Sequence, residues 1–130
     1  MTQKRISAAK TTPVRVVILT LDSHLASSVD RARETLLRDL PGLSLELHAV
    51  SEWGADPAAM ERCREDIAKG DIVIATMLFL EEHVQAVLPW LQARREACDA
   101  MIACMSAGEI VRLTRIGRFC MDGPQGGMIA

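Results

Sequence analysis

Residues 71–83 read DIVIATMLFLEEH, and this stretch decides the fold prediction. An apolar run extends from Ile72 to Leu80 with only Thr76 intervening, and it stops at two carboxylates and an imidazole. A continuous run of β-branched and other apolar residues is typical of a central parallel strand that is buried on both faces. We therefore predict a central strand over 71–80 that leads directly into a helix.

Three further segments of strand length occur along the chain. VRVVILTL at 14–21 predicts strand one, LSLELHAV at 43–50 predicts strand two, and residues 100–105 predict strand four. Strand two alternates leucines with polar residues, which indicates one wetter face and a position at the edge of the sheet. It is therefore predicted to be less buried than strand one.

Helical spacing of apolar residues predicts a helix after each strand. Ser23 is the expected N-cap of the first helix, Asp56 precedes the second, and Ser106 opens a capping box before a short last helix. In the third helix, Pro89 either kinks the helix or restarts it. This alternation favours right-handed βαβ units. The predicted fold is α/β: an open, mainly parallel four-stranded sheet of the Rossmann or flavodoxin-like kind, with helices on both faces.

Length and composition predict one domain, and the polar start and glycine-rich end of the sequence suggest its boundaries. The chain has 130 residues, of which 49% are hydrophobic, enough for one core. Residues 1–12 are expected to form a flexible leader and residues 13–119 a single α/β domain. The glycine-rich end suggests that residues 120–130 form an irregular tail, either a loop or a truncated linker.

The charge balance and the apolar runs argue against several classes of function. Fifteen basic residues against seventeen acidic ones give a net charge of −2, so we expect no nucleic-acid partner. No apolar run reaches the roughly 18 to 20 residues of a membrane span, and no secretory signal is evident. The four cysteines form no CxxC pair. The sequence therefore predicts a cytoplasmic protein with reduced thiols.

Candidate functional residues cluster where strands are predicted to end. In an open parallel sheet, ligands usually bind outside the carboxyl ends of the strands. The polar residues expected there as ligand contacts are Asp22, His24, Glu82, His83 and Glu109. No residue is assigned a catalytic or metal-binding role.

Several of these residues also have a purely structural interpretation. Glu81 and Glu82 fit the first turn of a helix, where negative charge meets the positive end of the dipole. That interpretation is favoured over a metal or general-base site, because adjacent helical residues point in different directions. Asp22 and His24 form either a proton relay or an ordinary helix start. His48 is predicted on the outer face of strand two, without an obvious partner.

Three long blocks carry a resemblance to a known family. They are VRVVILTLDSHLASSVDRAR at 14–33, GDIVIATMLFLEEHVQAVLPWLQARREACDAM at 70–101 and MSAGEIVRLTRIGRF at 105–119. Together and in this order they resemble the beginning of the large, porphyrin-binding H subunit of magnesium chelatase, in its bacteriochlorophyll branch. The large subunit of aerobic cobalt chelatase is a related protein.

The resemblance implies a part of a ligase complex that inserts Mg²⁺ into protoporphyrin IX for bacteriochlorophyll and chlorophyll synthesis. ATP is hydrolysed in that complex by the AAA+ subunits I and D, so the implied partners are those subunits, the rest of the H subunit and protoporphyrin IX. No catalytic motif of the family falls within these residues, so we expect the piece alone to be non-catalytic and to hold no cofactor. The alternative is a stand-alone α/β module that binds a small ligand or a metal.

Overall fold

The computed structural model describes residues 12–121, which contain six strands and four α-helices. The strands are β1 (Val14–Thr20), β2 (Leu43–Ala49), β3 (Ile72–Thr76), β4 (Ala100–Cys104), β5 (Arg115–Ile116) and β6 (Phe119–Cys120). The helices are α1 (Ala26–Asp39), α2 (Pro57–Lys69), α3 (Glu81–Arg95) and α4 (Gly108–Val111), with 3-10 turns at Ser23–Leu25 and Val50–Glu52. Nearly all of the predicted leader and most of the predicted tail lie outside the described residues.

The six strands form one sheet in the order β2-β1-β3-β4-β5-β6. The first four are parallel, whereas β5 and β6 run antiparallel to their neighbours. The α/β class, the mainly parallel sheet and the edge position of β2 are thereby confirmed. The predicted number of four strands was wrong, because a short hairpin turning at Gly117 (φ 60°) extends the sheet.

The central strand is shorter than predicted. β3 ends at Thr76, where its pairing with β4 also ends at Cys104. The next residue, Met77, has a φ of 65°, and its amide donates to the carbonyl of Met105 at 2.8 Å. Left-handed backbone cannot continue an extended strand, so residues 77–80 form a connecting loop rather than the end of the strand.

The two predicted serine caps were also wrong. Asp22, not Ser23, caps the first 3-10 turn by accepting a hydrogen bond from the amide of His24, and α1 begins only at Ala26. Ser106 does not cap α4; its hydroxyl donates to the carbonyl of Cys104 and accepts from the amide of Leu78. Helix α3 continues through Pro89 without restarting.

One face of the sheet, here called the closed face, is fully packed. Its strand residues share one core with apolar residues of α2, α3 and α4. The strand residues are Val17, Leu19, Val73, Ala75, Met101 and Ala103, and the helix residues include Cys63, Ile67, Val84, Val87, Leu91 and Ile110. Each of these residues is at most 5% exposed, which makes this core the main source of stability.

The opposite face, here called the open face, is covered only in part by the described residues. Helix α1 lies over its β2 edge, where Val29 and Leu45 are buried. The β3 residues on this face, Ile72 and Ile74, are only half-buried, contrary to the prediction of a central strand buried on both faces. Helices do lie on both faces, as predicted, but they are unequally distributed.

Candidate functional site

The carboxyl end of β1 carries the pair Asp22 and His24. A carboxylate oxygen of Asp22 accepts from the His24 amide at 3.1 Å and also contacts Nδ1 of the imidazole. The side-chain hydrogen bond from His24 lowers the pKa of the Asp22 carboxyl. About half of each side chain is exposed, 54% for His24 and 49% for Asp22. The arrangement stabilises the first turn, and its role in ligand contact stays a prediction.

The carboxyl end of β3 leads to Glu81, Glu82 and His83. Glu81 and Glu82 both lie in the first turn of α3, as the dipole interpretation requires, and Glu81 accepts from the side-chain amide of Gln85 at 3.0 Å. His83 is largely buried, with its Nε2 3.9 Å from a Glu82 oxygen. Its Nδ1 has no hydrogen-bond partner within the described residues. Because this nitrogen is buried, a ligand does not reach it in the present conformation, and contact by this pair stays a prediction.

The loops after β3 and β4 are joined to each other. Besides the bond from Met77 to Met105, the amide of Ala107 donates to the carbonyl of Leu78 at 2.8 Å. The two loops therefore form a single ridge along the carboxyl edge of the sheet, and Glu109 follows it in the first turn of α4. The joining bonds could not be read from sequence, because they link residues almost thirty positions apart.

Apolar side chains project from this ridge into solvent. Met105 is 67% exposed and Phe79 is 58% exposed, with Leu80 close behind. Met77 and Met105 both have left-handed backbone, with φ of 65° and 47°. Such a conformation costs about 1–2 kcal/mol for a residue with a Cβ. The sequence did not indicate this exposed apolar surface, because residues 77–80 were predicted inside a strand.

The predicted contact residues form separate groups rather than one site. Within residues 12–121, no hydrogen bond or ion pair joins the Asp22–His24 pair to the Glu82–His83 pair or to Glu109. In the same residues, no three His, Cys, Asp or Glu side chains are placed to hold a metal ion. The carboxyl edge therefore carries isolated polar pairs beside an apolar ridge.

Sequence reasoning missed a polar network on the closed side of β2. His48 was predicted on the outer face of strand two without a partner, and both parts of that prediction were wrong. Its side chain is only 13% exposed, and its Nε2 lies 2.7 Å from Oδ2 of Asp66 on α2. Arg15 of β1 extends this network, with its Nη1 3.8 Å from Asp66 and its amide donating to Asp71 at 2.8 Å. The alternation of β2 correctly separated its two faces, yet it gave no information about which helix would cover the polar one.

The buried cysteines are unsuited to chemistry. Burial raises the pKa of the Cys63 thiol to about 12, and burial also raises the pKa of Cys98. A thiol with such a pKa is almost wholly protonated at neutral pH and a poor nucleophile. Cys104 and Cys120 are free and exposed.

The sequence of the chain matches a recognised domain family. The model of the domain of unknown function DUF3479 matches residues 15–130, and the chain belongs to this family. Among the described residues, none of the helices has the length and apolar character needed to cross a membrane.

The relatives with curated names are H subunits of magnesium chelatase. The chain is 45% identical over 115 residues to the H subunit of Cereibacter sphaeroides and 38% identical to that of Rhodobacter capsulatus. Each match covers 88% of this chain and 10% of the relative. The chloroplastic protein ChlH of Oryza sativa is 28% identical over 112 residues, which are 84% of this chain and 8% of the relative. The chain therefore spans about a tenth of the length of the H subunits, in their N-terminal region.

Proposed function

We propose that this chain acts as the N-terminal region of a magnesium-chelatase H subunit in bacteriochlorophyll synthesis. The observation that carries the proposal is the 45% identity over 88% of the chain to the Cereibacter sphaeroides protein. The complex inserts Mg²⁺ into protoporphyrin IX in the cytoplasm, and the AAA+ subunits I and D hydrolyse the ATP.

Within that complex, the proposed role of this domain is docking and porphyrin handling rather than catalysis. The carboxyl edge offers isolated polar pairs, which suit surface contacts better than the concerted work of a metal-inserting centre. The apolar ridge at Phe79, Leu80 and Met105 suits contact with another part of the complex, because contiguous exposed apolar surface marks interaction sites. The partners are the rest of the H subunit, subunits I and D, and protoporphyrin IX.

A chimera tests the proposal. The matched region of the Cereibacter sphaeroides protein is replaced by residues 15–130 of this chain, and Mg²⁺ insertion is followed by porphyrin fluorescence with subunits I and D and ATP. We expect the chimera to retain activity within about tenfold of the parent protein, since relatives of this similarity share core packing.

The control replaces the same region with an unrelated α/β domain of equal length. A chimera no more active than this control would contradict the proposal. That result would instead support the alternative of a stand-alone binding module.

The docking role is tested at the ridge. In the chimera, the double substitution Phe79→Ser and Met105→Ser should weaken capture of one of the two AAA+ subunits, or slow Mg²⁺ insertion. Glu61→Gln on the exposed side of α2 serves as the matched control and should change neither. Equal capture and equal rates in both variants would remove the ridge from the docking surface.

Porphyrin handling is tested with the chain itself. Trp53 and Trp90 lie together, with ring centroids 5.8 Å apart, and provide an intrinsic fluorescence signal. Titration with a water-soluble porphyrin should quench this signal with saturation. Quenching no stronger than that of an unrelated tryptophan-containing protein would remove direct porphyrin contact from the proposal.

A further inference from the structure

The open face carries two rows of apolar side chains that run across the sheet. Residues paired in register point to the same face, so the rows follow from the pairing. Counted from β1 to β6, the first row crosses five strands and the second crosses three. The first consists of Val16, Ile72, Ala100, Ile116 and Phe119, and the second of Ile18, Ile74 and Ile102.

These rows do not have the composition of a solvent-facing surface. A sheet face that meets water normally carries polar residues, and no residue of either row is charged or polar. Ile116 is nevertheless 45% exposed and Phe119 is 54% exposed, while Ile74 and Ile102 are half-buried. Parallel sheets occur almost only with both faces covered. The open face therefore has the chemistry of a buried surface.

The dimensions of the open face from β3 to β6 set how many helices could pack on it. Adjacent strands lie about 4.8 Å apart, so the four strands from β3 to β6 span about 14 Å. A packed helix is about 10 Å wide, which leaves room for one helix beside α1 and not for two. Five residues of β3 or β4 extend about 17 Å, the length of a helix of about 11 residues.

We propose that one amphipathic helix from the remainder of the H subunit packs on the open face and contacts Ile74, Ile102 and Ile116. The inference rests on the proposed function and specifies how this domain is joined to the rest of its polypeptide. The matched relatives contain about nine-tenths of their length outside this region, so the same polypeptide has ample chain to supply the helix. Contact within one polypeptide also suits an uncharged surface, since permanent interfaces are more hydrophobic than transient ones.

Cysteine labelling tests the inference. Ile102→Cys is introduced with Cys104→Ser and Cys120→Ser, so that the remaining native thiols, Cys63 and Cys98, are the buried ones. Maleimide labelling rates are compared between the 130-residue chain and the full-length chimera. Ala58→Cys, an exposed position on α2, is the matched control in the same background.

We expect Ile102→Cys to react at least about tenfold more slowly in the chimera than in the short chain, because burial under a helix restricts labelling to local opening. Ala58→Cys should react at similar rates in both. Equal rates for Ile102→Cys would overturn the inference whether or not the chimera inserts Mg²⁺, so failure of the inference and of the proposed function are distinguishable. Protection in the short chain that grows with its concentration would identify a second copy as the occupant, and would also overturn the inference.

Discussion

The two faces of the sheet are built from the same kind of residue but differ in what covers them. On the closed face, Val73 and Met101 are essentially inaccessible beneath α2 and α3. On the open face, their neighbours Ile74 and Ile102 are half-buried, although they lie one position further along the same strands. The apolar pattern of these strands predicts burial on both faces, whereas the described residues fully bury only one of them.

The two faces therefore have different roles: the closed face contributes folding stability, and the open face offers surface for assembly. The closed face stabilises the domain by itself, because its core joins three helices and three strands. The open face and the ridge present apolar surface that other parts of a larger assembly are suited to cover. Matched substitutions on the two faces should therefore differ in their effect on the free energy of unfolding.

The largest expected difference is between Met101→Ala and Ile102→Ala. Met101 is 1% exposed, so its truncation should lower the free energy of unfolding by about 2–5 kcal/mol. Ile102→Ala should cost roughly 1 kcal/mol in the short chain, because part of the side chain is already in water. Urea denaturation measures both. Equal losses would show that the two faces are equally packed.

The next largest effect concerns Gly70, which lies against the closed face. A Cβ at this position would lie 2.9 Å from Cγ2 of Val73 and 3.2 Å from Cγ2 of Val17. Gly70→Ala should therefore destabilise the chain by about 1–3 kcal/mol. Gly54→Ala is the control: its Cβ meets nothing within 4 Å, so thermal melting should show no loss of stability. A neutral Gly70→Ala would contradict tight packing on the closed face.

On the ridge, we expect a smaller change that increases stability rather than lowering it. Met105 has a φ of 47° and a largely exposed side chain, so little packing is lost when it is replaced. Met105→Gly should raise the free energy of unfolding by about 0.5–1 kcal/mol by relieving the left-handed backbone. Cys104→Gly, at the adjacent strand residue, should lower it. If both variants lose stability alike, the ridge backbone is not strained.

The smallest effect is a titration at the end of β1. The hydrogen bond from His24 lowers the pKa of Asp22 below its usual 3.8, so the stabilisation is present above that value and is lost as the pH falls through the lowered pKa. His24→Ala should return the Asp22 pKa towards 3.8, as measured by NMR of the carboxyl carbon. Glu61, whose pKa is lowered by a hydrogen bond from Arg64, is the internal control, and its pKa should be the same in both proteins. An Asp22 pKa that is unchanged by His24→Ala would show that the pair does not form in solution.

The sequence predicted the parts of the fold that depend on local pattern. The apolar runs located β1 and β3, the alternation of β2 placed it at the edge, and helical spacing located α1, α2 and α3. These features repeat over many residues, so their periodicity is strong. The β5–β6 hairpin was missed because two-residue strands are too short to show any alternation.

The candidate surfaces were harder to predict, because they depend on contacts between distant residues. The apolar run continued past Thr76, but the backbone of Met77 turns, and so Phe79 became part of an exposed ridge rather than a strand. His48 gained its partner only when α2 was placed over β2. The five predicted contact residues lie at the carboxyl edge as expected, and their roles as contacts stay predictions.

The most direct test of the account is a cryo-electron microscopy structure of the active full-length chimera. The account predicts density for one helix, from outside the matched region, packed over Ile74 and Ile102 on the side opposite α2 and α3. A map in which these two isoleucines face solvent, or face another copy of the domain, would contradict it.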